Sequence, residues 1–176
     1  MFGFEDVFDY LECSYCGCLQ ILNPPNDISK YYPDKYYSFK KMKTKLDSSM
    51  KSFIRHQRAL YAMGRKSLIG KMISKLSGIP KFYRWFSIAK VDFDHSILDV
   101  GCGNGELLIT LKKEGFRKLT GMDPYIEQDI LYENGVKIHK MGLSDVNSKF
   151  DFIMLNHSFE HMSKPFDVLN NLHKIL

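Results

Sequence analysis

Hydrophobic positions in the C-terminal half of the chain form short apolar runs separated by stretches with helical spacing. The runs that predict buried strands are residues 97–100, 118–123, 136–140 and 150–156. Residues 105–115 have the pattern of a helix ended by Gly115, and Pro165 begins a last predicted helix. Residues 124–132 predict a helix or a turn, broken by Asn134 and Gly135. This alternation predicts an α/β fold with a parallel, doubly wound sheet.

The N-terminal half has a different pattern. Residues 10–22 predict a short hairpin, and residues 39–76 have helical periodicity, with Gly64 and Gly70 marking breaks or close helix contacts. Pro80 predicts the first turn of another short helix, whose proposed apolar face holds Phe82, Trp85, Phe86 and Ala89. We therefore predict three parts: a cysteine hairpin with a Tyr-rich linker (1–38), a helical cap (39–92) and the α/β domain (93–176).

Charge is distributed unevenly along the chain. Residues 35–90 hold 15 of the 25 Lys and Arg residues and one acidic residue, Asp47, although the net charge of the chain is only +5. This basic segment is compatible with nucleic acid, anionic lipid or a phosphorylated substrate, and equally with a solvated face beside the acidic C-terminal half. The sequence has no run of 18 apolar residues and no basic leader, so we expect neither a membrane span nor a secretory signal.

Three of the four cysteines lie close together, at positions 13, 16 and 18. Cys13 and Cys16, followed by Gly17, have the spacing of half a zinc knuckle. A structural zinc ion needs four ligands, and Cys18 follows too closely to be a good third one. Reduced cysteines in a turn are the alternative interpretation. Since the cysteines form no obvious disulfide framework, we expect a cytoplasmic protein.

Three glycines, Gly101, Gly103 and Gly105, follow the first predicted strand at alternate positions and precede a helix. A strand, a tight glycine loop and a helix N-terminus allow the backbone to approach a ligand closely. Alone, this pattern is also that of an ordinary strand-to-helix turn.

Asp123 ends the second predicted strand, 22 residues after Gly101. An acid at this place accepts hydrogen bonds from the ribose hydroxyls of a nucleotide in doubly wound folds, although it could also cap a helix before Pro124. Glu106 stands where a dinucleotide fingerprint has its third glycine, so an adenosyl ligand without pyrophosphate fits better than NAD or FAD. Asp99 suits a cationic ligand group better than a phosphate.

The segments 99–105, 121–124 and 150–161 together resemble a class I S-adenosylmethionine-dependent methyltransferase, which implies a Rossmann-like sheet and S-adenosylmethionine as cofactor. Cys13, Cys16, Gly17 and the Tyr pairs at 31–32 and 36–37 resemble a branch of that superfamily. That branch carries a zinc ribbon before the methyltransferase domain and is associated with sugar and polysaccharide methylation. The resemblance therefore implies a small-molecule acceptor such as a sugar or glycan precursor.

The resemblance also implies roles for individual residues. The cofactor-binding residues it implies are Asp99, Gly101, Cys102, Gly103, Gly105, Asp123, Pro124, Gly142, Leu143, Asn156 and His157. Many relatives carry an acid directly after the third strand, whereas the first acid here is Asp145. Asn156 and His157, after the fourth strand, are expected to face the methyl group and the acceptor.

Methyl transfer to a hydroxyl benefits from a general base. His157 is the first candidate, with Glu160 and His161 behind it, although these side chains could simply pair with each other. The same residues match the H-x-x-E-H zinc-peptidase motif. That motif needs a helix and a later third ligand, and here it follows directly on a predicted strand, so we do not expect a metallopeptidase.

The chain ends in the helix after the fourth predicted strand, whereas the sheet of the family continues further. Without further strands, this strand would form an edge with apolar side chains on both faces. We therefore expect a fragment, a truncated gene product or a homodimer in which a second copy covers the edge. A cofactor-binding module without catalysis is one alternative function. A nucleic-acid methyltransferase that uses the basic segment is another.

Overall fold

The computed structural model describes residues 5–25, 31, 42 and 47–176. The chain divides into two compact units, residues 1–40 and 41–176. In the first unit, strands β1 (Tyr10–Glu12) and β2 (Leu19–Ile21) form the predicted antiparallel hairpin. The Tyr31 hydroxyl donates a 2.7 Å hydrogen bond to Asp6. The other members of the two Tyr pairs lie outside the described residues.

The second unit contains five helices: α1 (Ser49–Ala62), α2 (Leu68–Ser77), α3 (Phe82–Ile88), α4 (Glu106–Glu114) and α5 (Pro165–Ile175), among the described residues. Its strands are β3 (Ser96–Val100), β4 (Lys118–Met122), β5 (Ile130–Leu131), β6 (Lys137–His139) and β7 (Phe152–Met154). The sheet order is β5-β6-β4-β3-β7, in which β6, β4, β3 and β7 are parallel and β5 is antiparallel to β6. The predicted α/β architecture is confirmed. None of the described helices has the length and apolar character needed to span a bilayer.

Side chains on the two faces of the sheet pack against different helices. Leu98 and Val100 of β3 form a buried cluster with Leu172 and Ile175 of α5. Because side chains alternate along a strand, Ile97 and Asp99 point to the opposite face. Strand β7 is an edge strand in the described chain, as predicted, but its side chains are half-buried or buried. Among the described residues, β7 therefore has an unpaired backbone edge, while its apolar side chains are covered.

Helix α3 covers part of the side-chain surface of β7. The ring of buried Phe86 makes edge-to-face contacts with Phe116 and with Phe152 of β7, both with centroids 5.2 Å apart. Trp85, which we predicted on the same face, is instead 48% exposed. Tyr83 is buried in its place because its hydroxyl finds a buried acceptor on α4.

That acceptor is Glu114, whose side chain is fully buried at the end of α4. It accepts hydrogen bonds from Arg58 of α1 and, at 2.9 Å, from the Tyr83 hydroxyl, while Arg55 lies 3.9 Å away. Burial and the Glu114 charge raise the pKa of Tyr83 far above its ordinary value. A buried carboxylate is tolerated only when it is paired in this way. Glu114 thereby fixes the basic helix α1 to the α/β domain.

Helices α1 and α2 pack closely together at Gly70. A Cβ atom at Gly70 would lie 2.0 Å from the Gln57 carbonyl oxygen of α1, so only glycine allows this approach. The close helix contact predicted at Gly70 is confirmed, and the predicted break near Gly64 falls between the end of α1 at Ala62 and the start of α2 at Leu68.

Candidate functional site: a glycine loop with two buried acids

The loop between β3 and α4 bends back over the end of β4. Its backbone N–H groups at Gly101 and Cys102 donate to the Met122 carbonyl oxygen, at 2.8 and 3.2 Å. Gly101, Gly103 and Gly105 all have positive φ, of 72°, 54° and 76°. A side chain at Gly101 would also collide with Ser158, whose Cβ lies 2.6 Å from an ideal Cβ position. Glycine is therefore required here for both conformation and space.

Asp123 follows β4 and is hydrogen-bonded to this loop. One carboxylate oxygen accepts from the Gly103 N–H at 2.8 Å, and the other accepts from the Tyr125 N–H at 2.9 Å. Burial raises the pKa of Asp123, and these two backbone donors counteract part of that rise. A carboxylate has about four lone-pair sites, so each oxygen keeps capacity for a further donor. Asp123 can shape the loop and bind ligand hydroxyls at the same time.

Asp99, the fourth residue of β3, has a different environment from Asp123. Its side chain is only 3% exposed, and one carboxylate oxygen has no hydrogen-bond partner among the described residues. Burial, and then the nearby charge of Asp123, raise the pKa of Asp99 to about 7. A buried carboxylate without a donor is costly unless a ligand supplies one. Asp99 is therefore suited to a cationic or hydrogen-bond-donating ligand group.

Cys102 lies between the two acids and the neighbouring strand. Burial, followed by the charges of Asp99 and Asp123, raises the pKa of its thiol far above the ordinary value. A Cβ at Gly121 of β4 would lie 2.6 Å from the Cys102 sulfur. The thiol is thus neutral and Cys102 is half-buried, which suits a wall of the site and not a nucleophile.

The segment after β7 is attached to the glycine loop through Ser158. The Ser158 hydroxyl donates a 2.6 Å hydrogen bond to the Val100 carbonyl oxygen, and this side chain is buried against Gly101. The neighbouring residue His157 has a positive φ of 55°, and its side chain is 88% exposed. Asn156, directly before it, is half-buried. Ser158 therefore holds Asn156 and His157 beside the carboxyl end of β3.

The three predicted catalytic side chains do not form a hydrogen-bonded triad. His157 Nδ1 lies 3.8 Å from a Glu160 carboxylate oxygen, and both side chains are more than half exposed. His161 is also exposed, at the end of a 3-10 turn formed by Phe159–His161. Because the turn is not an α-helix, the two histidines lack the arrangement that a zinc-peptidase helix provides.

The other predicted cofactor residues follow the carboxyl ends of β4 and β6. Pro124 follows Asp123 and is exposed. Gly142 precedes the 3-10 turn Leu143–Asp145, and the Asp145 carboxylate accepts a 3.0 Å hydrogen bond from the Gly142 N–H. Leu143 packs against the α5 core cluster. Asp145 is therefore occupied with its own turn.

Cys13 and Cys16 lie in the exposed turn of the N-terminal hairpin. Hydrogen bonds from the backbone N–H groups of Cys16 and Tyr15 lower the pKa of the Cys13 thiol, which favours the thiolate that binds metal. Within residues 5–25, 31, 42 and 47–176, however, no group of three or more His, Cys, Asp or Glu side chains is arranged to hold a metal ion. The cysteines present fit half of a zinc site, and zinc binding is not supported.

Two residues with a part in the site were missed in the sequence. Ser158 lies inside the H-x-x-E-H match, but at a position where the motif specifies no residue type. Tyr132 is buried below the loop, and its hydroxyl donates a 2.7 Å hydrogen bond to the Asn104 carbonyl oxygen. The only signal for either was a polar side chain next to a predicted buried segment.

A parallel sheet with a glycine loop after one strand and an acid after its neighbour defines a Rossmann-like domain of the class I methyltransferase type. A methyltransferase domain family matches residues 53–176, and the chain belongs to that family. No solved structure matches the chain.

Two relatives have names that specify different methylation reactions. EEF1A lysine methyltransferase 2 of Homo sapiens is 38% identical over 77 residues, which cover 43% of this chain and 32% of that protein. The ubiquinone biosynthesis O-methyltransferase of Rickettsia conorii is 28% identical over 130 residues, covering 69% of this chain and 44% of that protein. The chain thus spans about a third to less than half of the length of these relatives.

Proposed function

We propose that the chain transfers a methyl group from S-adenosylmethionine to a nucleophilic acceptor. The observation that supports this most strongly is the buried pair Asp99 and Asp123 on either side of the glycine loop. One Asp99 carboxylate oxygen lacks a donor, and the Asp123 carboxylate has spare acceptor capacity. The cofactor offers a cationic amino group and two ribose hydroxyls, which are complementary to these two acids.

The residues present fit this cofactor. Asp99 would bind the amino end of the methionyl moiety, Asp123 the ribose, and the loop glycines would lie against the methionyl part. Gly142 and Leu143 would line the adenine. When bound, S-adenosylmethionine supplies a methyl group already activated by its sulfonium.

The protein would then contribute alignment and proton removal. Asn156 and His157, held by Ser158, would face the acceptor. In transfer to a hydroxyl, the acceptor proton would pass to His157 Nδ1 or Nε2, and Glu160 would stabilise the imidazolium at 3.8 Å. His161 is a second candidate for this base. Because the His157 side chain is largely exposed, the acceptor itself would complete the enclosure of the site.

The acceptor class is the open part of the proposal. The names of the two relatives concern a protein lysine and ubiquinone biosynthesis, so an amine and a hydroxyl are the first acceptors to test. No relative described above supports the predicted sugar or glycan acceptor, which stays a prediction. So does a nucleic-acid acceptor.

Calorimetric titration with S-adenosylmethionine and with its demethylated product tests the cofactor. We expect both to bind, Asp123→Asn to abolish binding, and Asp167→Asn, an exposed aspartate on α5, to leave it unchanged. If the folded wild-type protein binds neither ligand, the proposal is wrong.

Transfer of a labelled methyl group to lysine peptides, phenols, sugars and RNA then tests the acceptor. Methylation of one class that is lost in Asp123→Asn would support catalysis. Cofactor binding without transfer to any acceptor would instead favour the non-catalytic alternative. A reduced rate in His157→Gln with unchanged cofactor affinity would support His157 as the base.

We also propose that a second copy pairs with the open backbone edge of β7 in a homodimer. Sedimentation equilibrium tests this proposal. A monomer at all accessible concentrations would contradict it.

A further inference from the structure

Helix α2 exposes an apolar stripe on its outer side. Leu68, Met72 and Leu76 are 85%, 67% and 89% exposed, and Ile69 is 47% exposed. Their spacing of four residues aligns the first three along one face. Isolated exposed apolar residues are common, but an aligned set on one helix face indicates a surface that is covered in use.

The stripe cannot turn inwards, because the opposite side of α2 is already fixed. Gly70 is buried against the backbone of α1, and Ser67 caps the helix by accepting a 2.9 Å hydrogen bond from the Gly70 N–H. The Ser67 hydroxyl in turn donates a 2.8 Å hydrogen bond to Gln57 of α1. The contact with α1 therefore uses the side of α2 that holds Gly70 and leaves Leu68, Met72 and Leu76 outside.

Lysines border the same stripe. Lys71 and Lys75 are exposed and lie three residues, about one helical turn, after Leu68 and Met72. Lys66 precedes the Ser67 cap of the helix. A helix with an aliphatic stripe beside lysines has the character of interfacial helices, whose lysine stems reach along apolar surface to a polar boundary.

The surrounding segment is strongly positive. Residues 48–91 contain ten Lys and Arg residues and no Asp or Glu. Three arginines are engaged: Arg58 with Glu114, Arg55 with Asp47, and Arg65 with Asp92. In the part of the chain that the structure describes, no side-chain ion pair involves the lysines of α2. The positive charge beside the stripe is therefore available to a partner.

We propose that α2 docks on an anionic lipid surface, lying in the plane of the interface with Leu68, Met72 and Leu76 inserted and with Lys71 and Lys75 at the headgroups. Lipid binding uses both features at once, since apolar insertion and basic charge are each too weak alone. Nucleic acid would account for the lysines but would leave the aliphatic stripe in water. A second copy of this chain would bring two positive segments together, which like-charge repulsion disfavours.

Vesicle flotation with the full chain tests this proposal. We expect binding to vesicles of phosphatidylcholine mixed with phosphatidylserine and no binding to phosphatidylcholine alone. The double variant Lys71→Gln, Lys75→Gln should bind roughly thirtyfold more weakly, since each basic residue near an anionic surface contributes about a factor of five. Its matched control, Lys149→Gln with Lys164→Gln, changes two exposed lysines elsewhere and should bind as the wild type does.

The apolar contribution has its own control. Leu68→Gln, Met72→Gln and Leu76→Gln together should reduce binding at least tenfold. Phe166→Gln with Leu169→Gln, on exposed positions of α5, should have no effect. Circular dichroism should show that all variants keep the wild-type helix content, because the changed side chains are exposed.

Several results would overturn the proposal. These are equal binding to neutral and anionic vesicles, unchanged binding in both α2 variants, and loss of a dimer in the triple Gln variant without any lipid binding by the wild type. Tight RNA binding lost in Lys71→Gln, Lys75→Gln but retained in the triple Gln variant would assign the surface to nucleic acid. Vesicle binding needs no cofactor, so its outcome is independent of the proposed methyl transfer.

Discussion

Asp99→Asn is the substitution that tests the physical basis of the site most directly. Asparagine keeps the shape of the side chain but cannot ionise. In the wild type, burial and then Asp123 raise the pKa of Asp99 to about 7. In the unfolded chain the carboxyl ionises near its ordinary value of 3.8. Folding without a ligand therefore opposes ionisation of this group.

The sign of the effect follows from proton linkage. Between pH 3.8 and about 7, the folded protein holds a proton on Asp99 and the unfolded chain does not. The free energy of unfolding contributed by this group consequently falls by about 1.4 kcal/mol for each pH unit as pH rises through this window. Over the whole window the loss is about 4 kcal/mol, which is complete above the folded pKa.

Urea unfolding of the ligand-free protein from pH 5 to pH 8 measures this loss. Relative to Asp99→Asn, the wild type should lose about 2 kcal/mol between pH 5 and pH 7 and little more above it. The Asn side chain adds its own unsatisfied amide, but that cost of about 1–3 kcal/mol does not vary with pH. Asp123 is present in both proteins and interacts with Asp99, so the difference between the two curves reports Asp99 together with its coupling to Asp123. A difference independent of pH would refute the reasoning.

Cofactor affinity should show the opposite dependence. If ionised Asp99 binds the amino group, wild-type affinity should rise up to tenfold per pH unit towards pH 7 and then level off. Asp99→Asn should bind more weakly, with little pH dependence. Calorimetry at several pH values measures both curves, and an Asn variant that binds as tightly as the wild type at pH 8 would show that Asp99 does not contact the ligand.

Three further substitutions and one control probe the loop and the packing of the helices. Gly101→Ala should abolish cofactor binding in calorimetry because its Cβ meets Ser158. Its control Gly135→Ala, which also has a positive φ but open space around it, should lose only about 1–2 kcal/mol of stability. Glu114→Ala should cost about 3–5 kcal/mol in urea unfolding because it leaves half-buried Arg58 and the buried Tyr83 hydroxyl without their acceptor. Gly70→Ala should lower stability by about 1–3 kcal/mol despite its better helix propensity, as thermal unfolding will show.

Most of the α/β domain could be predicted from the sequence because its strands are buried on both faces and its helices have capping signals. Pro165 and Gly115 marked helix ends that the structure has at the same places. Strand β5 was missed, since two residues are too few to carry a periodic pattern. The position of Trp85 was also missed, because the choice between Trp85 and Tyr83 depends on Glu114, which lies 29 and 31 residues away in sequence.

For the candidate site, the sequence predicted the neighbouring positions of the glycine loop and Asp123 but not the chemical state of the acids. Gly101 and Asp123 follow neighbouring strands, so a parallel sheet brings them together. Whether Asp99 has a donor, and what its pKa is, depends on burial that only the assembled sheet defines. The attachment of Ser158 to Val100 likewise depends on the pairing of β3 with β7.

The two acids divide the work of the site in a way that their chemistry explains. Asp123 is satisfied by backbone N–H groups before any ligand arrives, so it can hold the loop in shape continuously. Asp99 is not satisfied, so the folded protein holds it at a cost that a donor can relieve. A ligand that supplies that donor gains affinity from the relief, and one that carries a negative charge there is rejected by both carboxylates. In the proposed function, selectivity for a cationic ligand would therefore follow from leaving one Asp99 oxygen without a partner.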